Sequence, residues 1–179
     1  GYFTTPRWYF SDEQHELEKR EVVTRWRLEP KDKEAYFRGE LSDPVKPIVF
    51  YIDPATPAQW RKHIIQGIYD WQKAFEAAGF KNAIIAKEVT GETDFDIDDV
   101  RYSAVTYAAS DRANAMGPSV FDPRSGEIIE SDVIWWHNVM TAVHSWMRVQ
   151  TGVIDEKSRL NKFDDEHMGE AIRFISSHE

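Results

Sequence analysis

His178 and Glu179 close the chain as a His-Glu pair, and Gly169 to Ser177 read as a helix arriving at that pair. Zinc hydrolases of the H-E-x-x-H type carry two His one turn apart, at i and i+4, on one helix. The Glu after the first His then faces the metal-bound water. The first His and the Glu are present here, and a second His would fall three residues past Glu179. On this reading the sequence is expected to be part of a longer enzyme, inactive by itself and holding no stoichiometric metal. It opens on Gly1-Tyr2-Phe3 without an initiator Met, a basic n-region or an apolar signal segment, so a targeting sequence is expected to lie outside it. Glu179 and a terminal carboxylate would add negative charge at the negative end of the helix dipole, which predicts a frayed last turn. A lone His-Glu dipeptide is common, and the plain alternative is a surface helix that ends there.

The elements that must position the pair are legible in the preceding residues. Ile48 to Ile52 is a continuous apolar run, as in a strand covered on both faces. It ends at Asp53-Pro54. Thr56 as N-cap, Pro57 at the first helical position and Gln59 closing a Thr-x-x-Gln box then predict a helix. Trp60, Ile64, Ile68, Trp71, Phe75 and Ala78 form its apolar stripe, and Gly79 is the left-handed stop. Ala83 to Ala86 is a second buried strand, which makes a βαβ unit with a parallel pair and a right-handed crossover. Tyr102 to Ala108, Asn114 to Phe121 and Ile128 to Trp136 read as further strands. Asp122 to Glu127 has the turn chemistry of a tight hairpin, so the sheet is expected to be mixed. From His137 the period becomes helical, with Val139, Val143, Trp146 and Val149 or Gln150 aligned and Gly152 as the stop. The last helix starts around an Asp164 N-cap with Asp165 and Glu166 in its first turn, Phe163 and Met168 as a staple, and an apolar face of Met168, Ala171, Ile172 and Ile175.

Residues 1–45 read as an N-terminal arm. Val22, Thr24, Trp26 and Leu28 alternate with Val23, Arg25, Arg27 and Glu29, which predicts a half-buried strand added to the main domain at 46–179. The fold expected is α/β (α+β): a mixed, mostly parallel twisted sheet with one antiparallel edge strand, a backing helix and the helix that ends in His178-Glu179. At 179 residues the chain can bury a real core, and 41% hydrophobic residues with seven Trp are those of a globular protein. A net charge of −9 without a Lys/Arg cluster excludes nucleic acid as an expected partner, and no apolar run approaches membrane-spanning length. The absence of Cys removes disulfides and thiolate chemistry and leaves the compartment open.

Other residues attract chemistry less. His137 and His144 are seven apart but lack a third ligand, so surface or core-edge roles are favoured. His63 lies off its helix stripe and is expected to be solvated. His167 is expected to cap or pair in its acidic first turn. Asp94, Asp96, Asp98 and Asp99 lack the central Gly and terminal Glu of a calcium loop, which favours a solvated acidic loop. The Trp135-Trp136 pair reads as core packing at a strand end.

Several segments taken in order resemble the large bacterial zinc-dependent metalloproteases of metzincin type. They are Pro47 to Asp53 with the Trp60 to Gly79 helix, Ala104 to Ala109, Met116-Gly117-Pro118-Ser119, Asp122-Pro123-Arg124-Ser125-Gly126-Glu127-Ile128 and Ser177-His178-Glu179. The resemblance covers about Lys46 to the end and extends to the Arg25-Trp26-Arg27-Leu28-Glu29-Pro30 stretch. It implies a metzincin-like fold, with His178 as the first zinc ligand and Glu179 as the general base on the metal-bound water. The family would continue with a second and a third His, so Zn2+ belongs to the complete protein and none is expected on this chain. It further implies a peptide or protein substrate pairing with the edge strand at Asn114, Ala115, Met116, Gly117 and Ser119, and an extracytoplasmic (secreted, periplasmic or cell-surface) location. Gly117-Pro118 has a plainer reading, in which it merely ends a strand and blunts an exposed edge.

Three functions from different classes remain open on the sequence. One is the N-terminal part of a zinc endopeptidase domain. The second is a non-catalytic peptide- or protein-binding module using an open edge strand, and the third is a structural domain. Apolar surface left uncovered beside the edge strand also predicts self-association.

Overall fold

The computed structural model describes residues 3–91 and 94–179. β1 (Thr4–Tyr9) and β2 (Glu18–Val23) pair antiparallel as a hairpin of their own. The single longer strand expected through Leu28 is therefore corrected, because regular pairing stops at Val23. Beyond it, Arg25 N–H donates to the Gly126 carbonyl at 3.0 Å and Ile128 N–H to the Arg25 carbonyl at 2.9 Å, an isolated parallel bridge to Glu127. Gly126 permits this approach. Its φ is +75°, and a Cβ there would collide with the Val23 carbonyl. Trp26 and Leu28 then pack on the core, Trp26 edge-on to Phe50 at 6.5 Å. α1 (Lys33–Phe37) follows, with the Asp32 carboxylate accepting from Ala35 N–H at 2.9 Å.

From Ile48 the chain runs through β3 (Ile48–Ile52), α2 (Ala58–Tyr69), α3 (Gln72–Ala77), β4 (Ile84–Glu88) and β5 (Ser103–Ala108). It continues through β6 (Ala115–Met116), β7 (Ser119–Phe121), β8 (Ile128–Ser131), β9 (Val133–Trp136), α4 (Val139–Thr151) and α5 (Asp165–His178). The main sheet has five strands in the order β4-β3-β5-β9-β6. β4, β3, β5 and β9 are parallel, with Ile48 opposite Ile84 and Val105 opposite Val133, and β6 is the antiparallel edge. The mixed, mostly parallel sheet and the βαβ unit read from the sequence are thus present. Ile48, Ile52, Ile84, Val105, Val133 and Trp135 form a buried core with Ile64 and Ile68 of α2, Val139 and Val143 of α4, and Ala171 and Ile172 of α5. On the other face Tyr51 packs with Phe95 and Tyr102, at ring distances of 5.5 and 5.2 Å. None of the helices described is long and apolar enough to cross a membrane.

Several local expectations change. Thr56 does not cap α2: the N-cap is Pro57, without a side-chain hydrogen bond, and Thr56 is 1% exposed with its hydroxyl unpartnered. Pro57 already has the extended ψ (129°) of a cap residue, and Arg61 holds the loop by donating to the Thr56 and Pro54 carbonyls, each at 2.8 Å. The helix expected from Trp60 to Gly79 is broken at Asp70-Trp71, where both side chains reach across to α5. The strand expected from Asn114 to Phe121 breaks at Gly117-Pro118 into β6, on the sheet edge, and β7, which pairs with β8. Pro118 has no N–H to continue a ladder. Ile128 to Trp136 likewise breaks at Asp132, whose carboxylate accepts from Ala104 N–H at 2.9 Å. Val149, placed on the apolar stripe of α4, is 77% exposed, and Met140 and Met147 pack on the core in its place. Asp164 does cap α5, accepting from His167 N–H at 2.7 Å.

Gly67 governs the crossing of α2 and α5. A Cβ there would lie 2.6 Å from the Arg173 carbonyl and 2.7 Å from Ser176 Cβ. Gly67→Ala is expected to cost about 1–3 kcal/mol as overpacking, checked by the midpoint of urea unfolding, whereas Gly39→Ala meets open space and strains only its positive φ.

Candidate functional site

α5 carries His178 and Glu179 at its end, so what holds α5 fixes the pair. Arg173 makes a two-pronged ion pair with Asp70, Nε to Oδ2 and Nη2 to Oδ1, each at 2.7 Å. The Arg173 hydrogen bonds hold the Asp70 carboxyl below the usual carboxylate range. One residue on, the Trp71 indole N–H donates to the Ser177 carbonyl at 2.7 Å, directly beside His178. The helix is regular through His178, and Glu179 N–H still donates to the Ile175 carbonyl at 3.1 Å. The tethers from α2 explain why the last turn is formed where dipole electrostatics alone predict fraying.

His178 and Glu179 line a cleft of ≈ 450 Å³ between α5, α4 and the edge strand, and Asn114 and Ala115 line it too. Gly117 also lies against the end of α5, and a Cβ there would be 3.0 Å from the Glu179 carbonyl oxygen. Two candidate residues stand apart from this grouping: Met116 opposes Ile134 in the sheet, and Ser119 opposes Ser131 in the β7–β8 hairpin. The cleft floor is apolar, made by Val139, Ala142 and Val143, and Trp146 stacks on Phe174 at its rim with ring centroids 5.4 Å apart. That aromatic pair was not legible in the sequence, where Trp146 sits on a helical stripe and reads as core.

The same helix end closes a second space. An apolar cavity of ≈ 240 Å³ under the sheet is lined by Trp26, Phe50, Ile64, Trp71, Ser176 and Glu179 among others. Glu179 therefore stands between two spaces, one under the sheet and one under its edge. Among the described residues no group of three or more His, Cys, Asp or Glu gathers as a metal site. His178 is exposed and offers a single donor.

Of the remaining His residues, His15 is exposed between β1 and β2, and the other four pack or hydrogen-bond within the fold. His63 is half-buried, not solvated: its ring packs so closely on Gly169 that a Cβ there would overlap it, and burial lowers its pKa. His144 shares a 2.9 Å hydrogen bond with the Leu160 carbonyl, and Phe163 lies between the His144 and His167 rings, each 4.3 Å from its own. His137 bonds through Nδ1 to the Tyr107 hydroxyl, whose pKa burial raises. The acidic loop is drawn together by Arg101, which pairs with Asp99 and Asp94 at 2.6 and 3.4 Å, and by the Tyr102 hydroxyl donating to Asp94 at 2.8 Å.

Over residues 1–31 the chain matches a family described as a domain of unknown function (DUF5117), a stretch confined to the arm. No curated protein and no solved structure matches the chain.

Trp71→Phe keeps the ring but removes the donor to Ser177. We expect about 0.5–1.5 kcal/mol of lost stability and faster amide exchange confined to the last turn of α5; unchanged exchange there would show that the tether does not hold the helix end.

Proposed function

We propose that this chain forms the N-terminal part of a metzincin-like, zinc-dependent peptidase domain, with His178 as a zinc ligand and Glu179 as the general base. The observation that carries the reading is the cleft lined by His178 and Glu179 together with Asn114 and Ala115 at the start of the edge strand. A helix bearing His-Glu beneath an antiparallel edge strand is the arrangement a peptidase of this kind needs, because an extended peptide can pair with the edge while its scissile bond lies over the helix. Among the described residues no group of donors completes a metal site, so the reading requires further ligands past Glu179. What the residues here supply is positioning: Asp70, Trp71 and Gly67 hold α5, and Gly117 lets the edge lie against it. The resemblance also carries an extracytoplasmic location into this proposal.

The open edge of β6 supports a second reading, a peptide-binding module without metal. The two separate in one experiment on the gene product extended past Glu179. The peptidase reading expects about one zinc per chain, lost with His178→Ala. It also expects peptide hydrolysis that Glu179→Gln cuts by roughly 10²–10⁴-fold while zinc is retained. An extended protein without zinc, whose peptide affinity ignores a chelator, would establish the binding module instead.

A further inference from the structure

The ≈ 240 Å³ cavity under the sheet differs in chemistry from the cleft at the sheet edge. Its roof includes Ile84, Val105 and Val133 and its floor Ile64 and Ile68 of α2, all of them buried. Packed interiors leave few voids larger than a water molecule. Water does not fill an apolar one, because it lacks there the polar partners it needs, and an apolar cavity of about 150 Å³ is enough to take a benzene ring. The space here is larger and has room for a second fused ring.

The way α5 is held leaves this space open. Trp71 belongs by its spacing to the apolar stripe of α2, but its indole N–H donates to the Ser177 carbonyl at 2.7 Å and the residue stays 48% exposed at the cavity wall. Trp26, Phe50 and Phe75 complete an aromatic wall, with Trp26 edge-on to Phe50. Such walls favour an aromatic guest through edge-to-face or offset contact. Apart from the two indoles, the polar side chains of the lining are Ser131, Ser176 and Glu179. Their donors are already used. The Ser131 hydroxyl donates to the Pro118 carbonyl at 3.1 Å and its N–H to the Ser103 hydroxyl at 3.0 Å. The Ser176 hydroxyl donates to the Ile172 carbonyl at 2.9 Å, and Glu179 N–H to the Ile175 carbonyl at 3.1 Å. What these three side chains still offer is acceptors, two hydroxyl oxygens and a carboxylate.

We propose that this cavity is a binding site for a small aromatic molecule of one or two rings that carries a hydrogen-bond donor. The rings lie between the aliphatic roof and floor, and the donor N–H or O–H meets the acceptors of Ser131, Ser176 and Glu179. Trp71, Trp26 and Phe75 are each partly open to solvent and form the way in. The site needs no metal, so it stands or falls apart from the peptidase reading.

Indole is the probe, and benzofuran, the same shape with an oxygen in place of the N–H, is its control. Both are titrated by methyl NMR into this chain and into the gene product extended past Glu179. We expect saturable shifts of the Ile64, Ile68, Ile84 and Val105 methyls, NOEs from indole to those methyls, and indole binding roughly 2- to 10-fold tighter than benzofuran. Val105→Phe puts a ring into the cavity and should abolish the shifts. Absence of saturable binding, NOEs to other residues, or shifts that survive Val105→Phe overturn the site, and equal affinity for the two probes overturns the donor requirement. Binding that this chain shows and the extended protein loses also overturns the site, since the protein's own residues then fill the space. Should Val105→Phe fail to fold, the NOEs from indole in the unaltered protein decide alone.

Discussion

The contact between α2 and α5 at Gly67 is the constraint on which the rest of the structure depends. Without a Cβ on Gly67 the α5 backbone reaches contact distance, and the Ser176 side chain fits where a larger residue on α2 would stand. That proximity brings Arg173 within reach of Asp70 and the Ser177 carbonyl within reach of Trp71. Packing and polar contacts therefore act at one place. The ion pair is partly exposed, with about a third of each side chain open to solvent, so screening limits its worth and close packing carries more of the stability. Its role is geometric: a two-pronged guanidinium fixes the rotation of α5, and with it the direction of His178 and Glu179.

The break of the backing helix at Asp70-Trp71 follows from the same contact. A continuous helix from Trp60 to Gly79 would satisfy its own backbone, but Asp70 and Trp71 would then be ordinary surface residues. In the fold both are recruited by α5, and the chain restarts as α3 before Gly79 ends it at φ +91°. The Tyr36 ring lies over that glycine, so the arm also packs on the end of the backing layer.

The sheet edge is a second compromise. An exposed edge strand can pair with any extended chain, and here it is held to two residues before Gly117-Pro118 turns away. The Pro118 carbonyl is gripped by the Ser131 hydroxyl and the Asp132 N–H, so the corner is exposed but tied back to the β8–β9 junction.

The order of strands and helices was legible in the sequence because apolar periodicity and turn chemistry act locally. Ile48 to Ile52, the Asp122 to Glu127 hairpin and the Asp164 cap each needed only near neighbours. The His178-Glu179 pair was visible for the same reason, since its meaning lies in adjacency and helical phase. Where elements stop was not legible. Thr56 lost its cap role to Pro57 and Arg61, the long strand broke at Gly117-Pro118, and Asp132 cut another strand by bonding to Ala104 N–H. The partners of Trp71 and Trp146 lie in another element, and no spacing rule could supply them. The sequence alone determined which residues could do chemistry and the sheet beneath them. Tertiary structure decided which of those residues meet, because side-chain hydrogen bonds and close packing join segments that one-dimensional periodicity cannot connect.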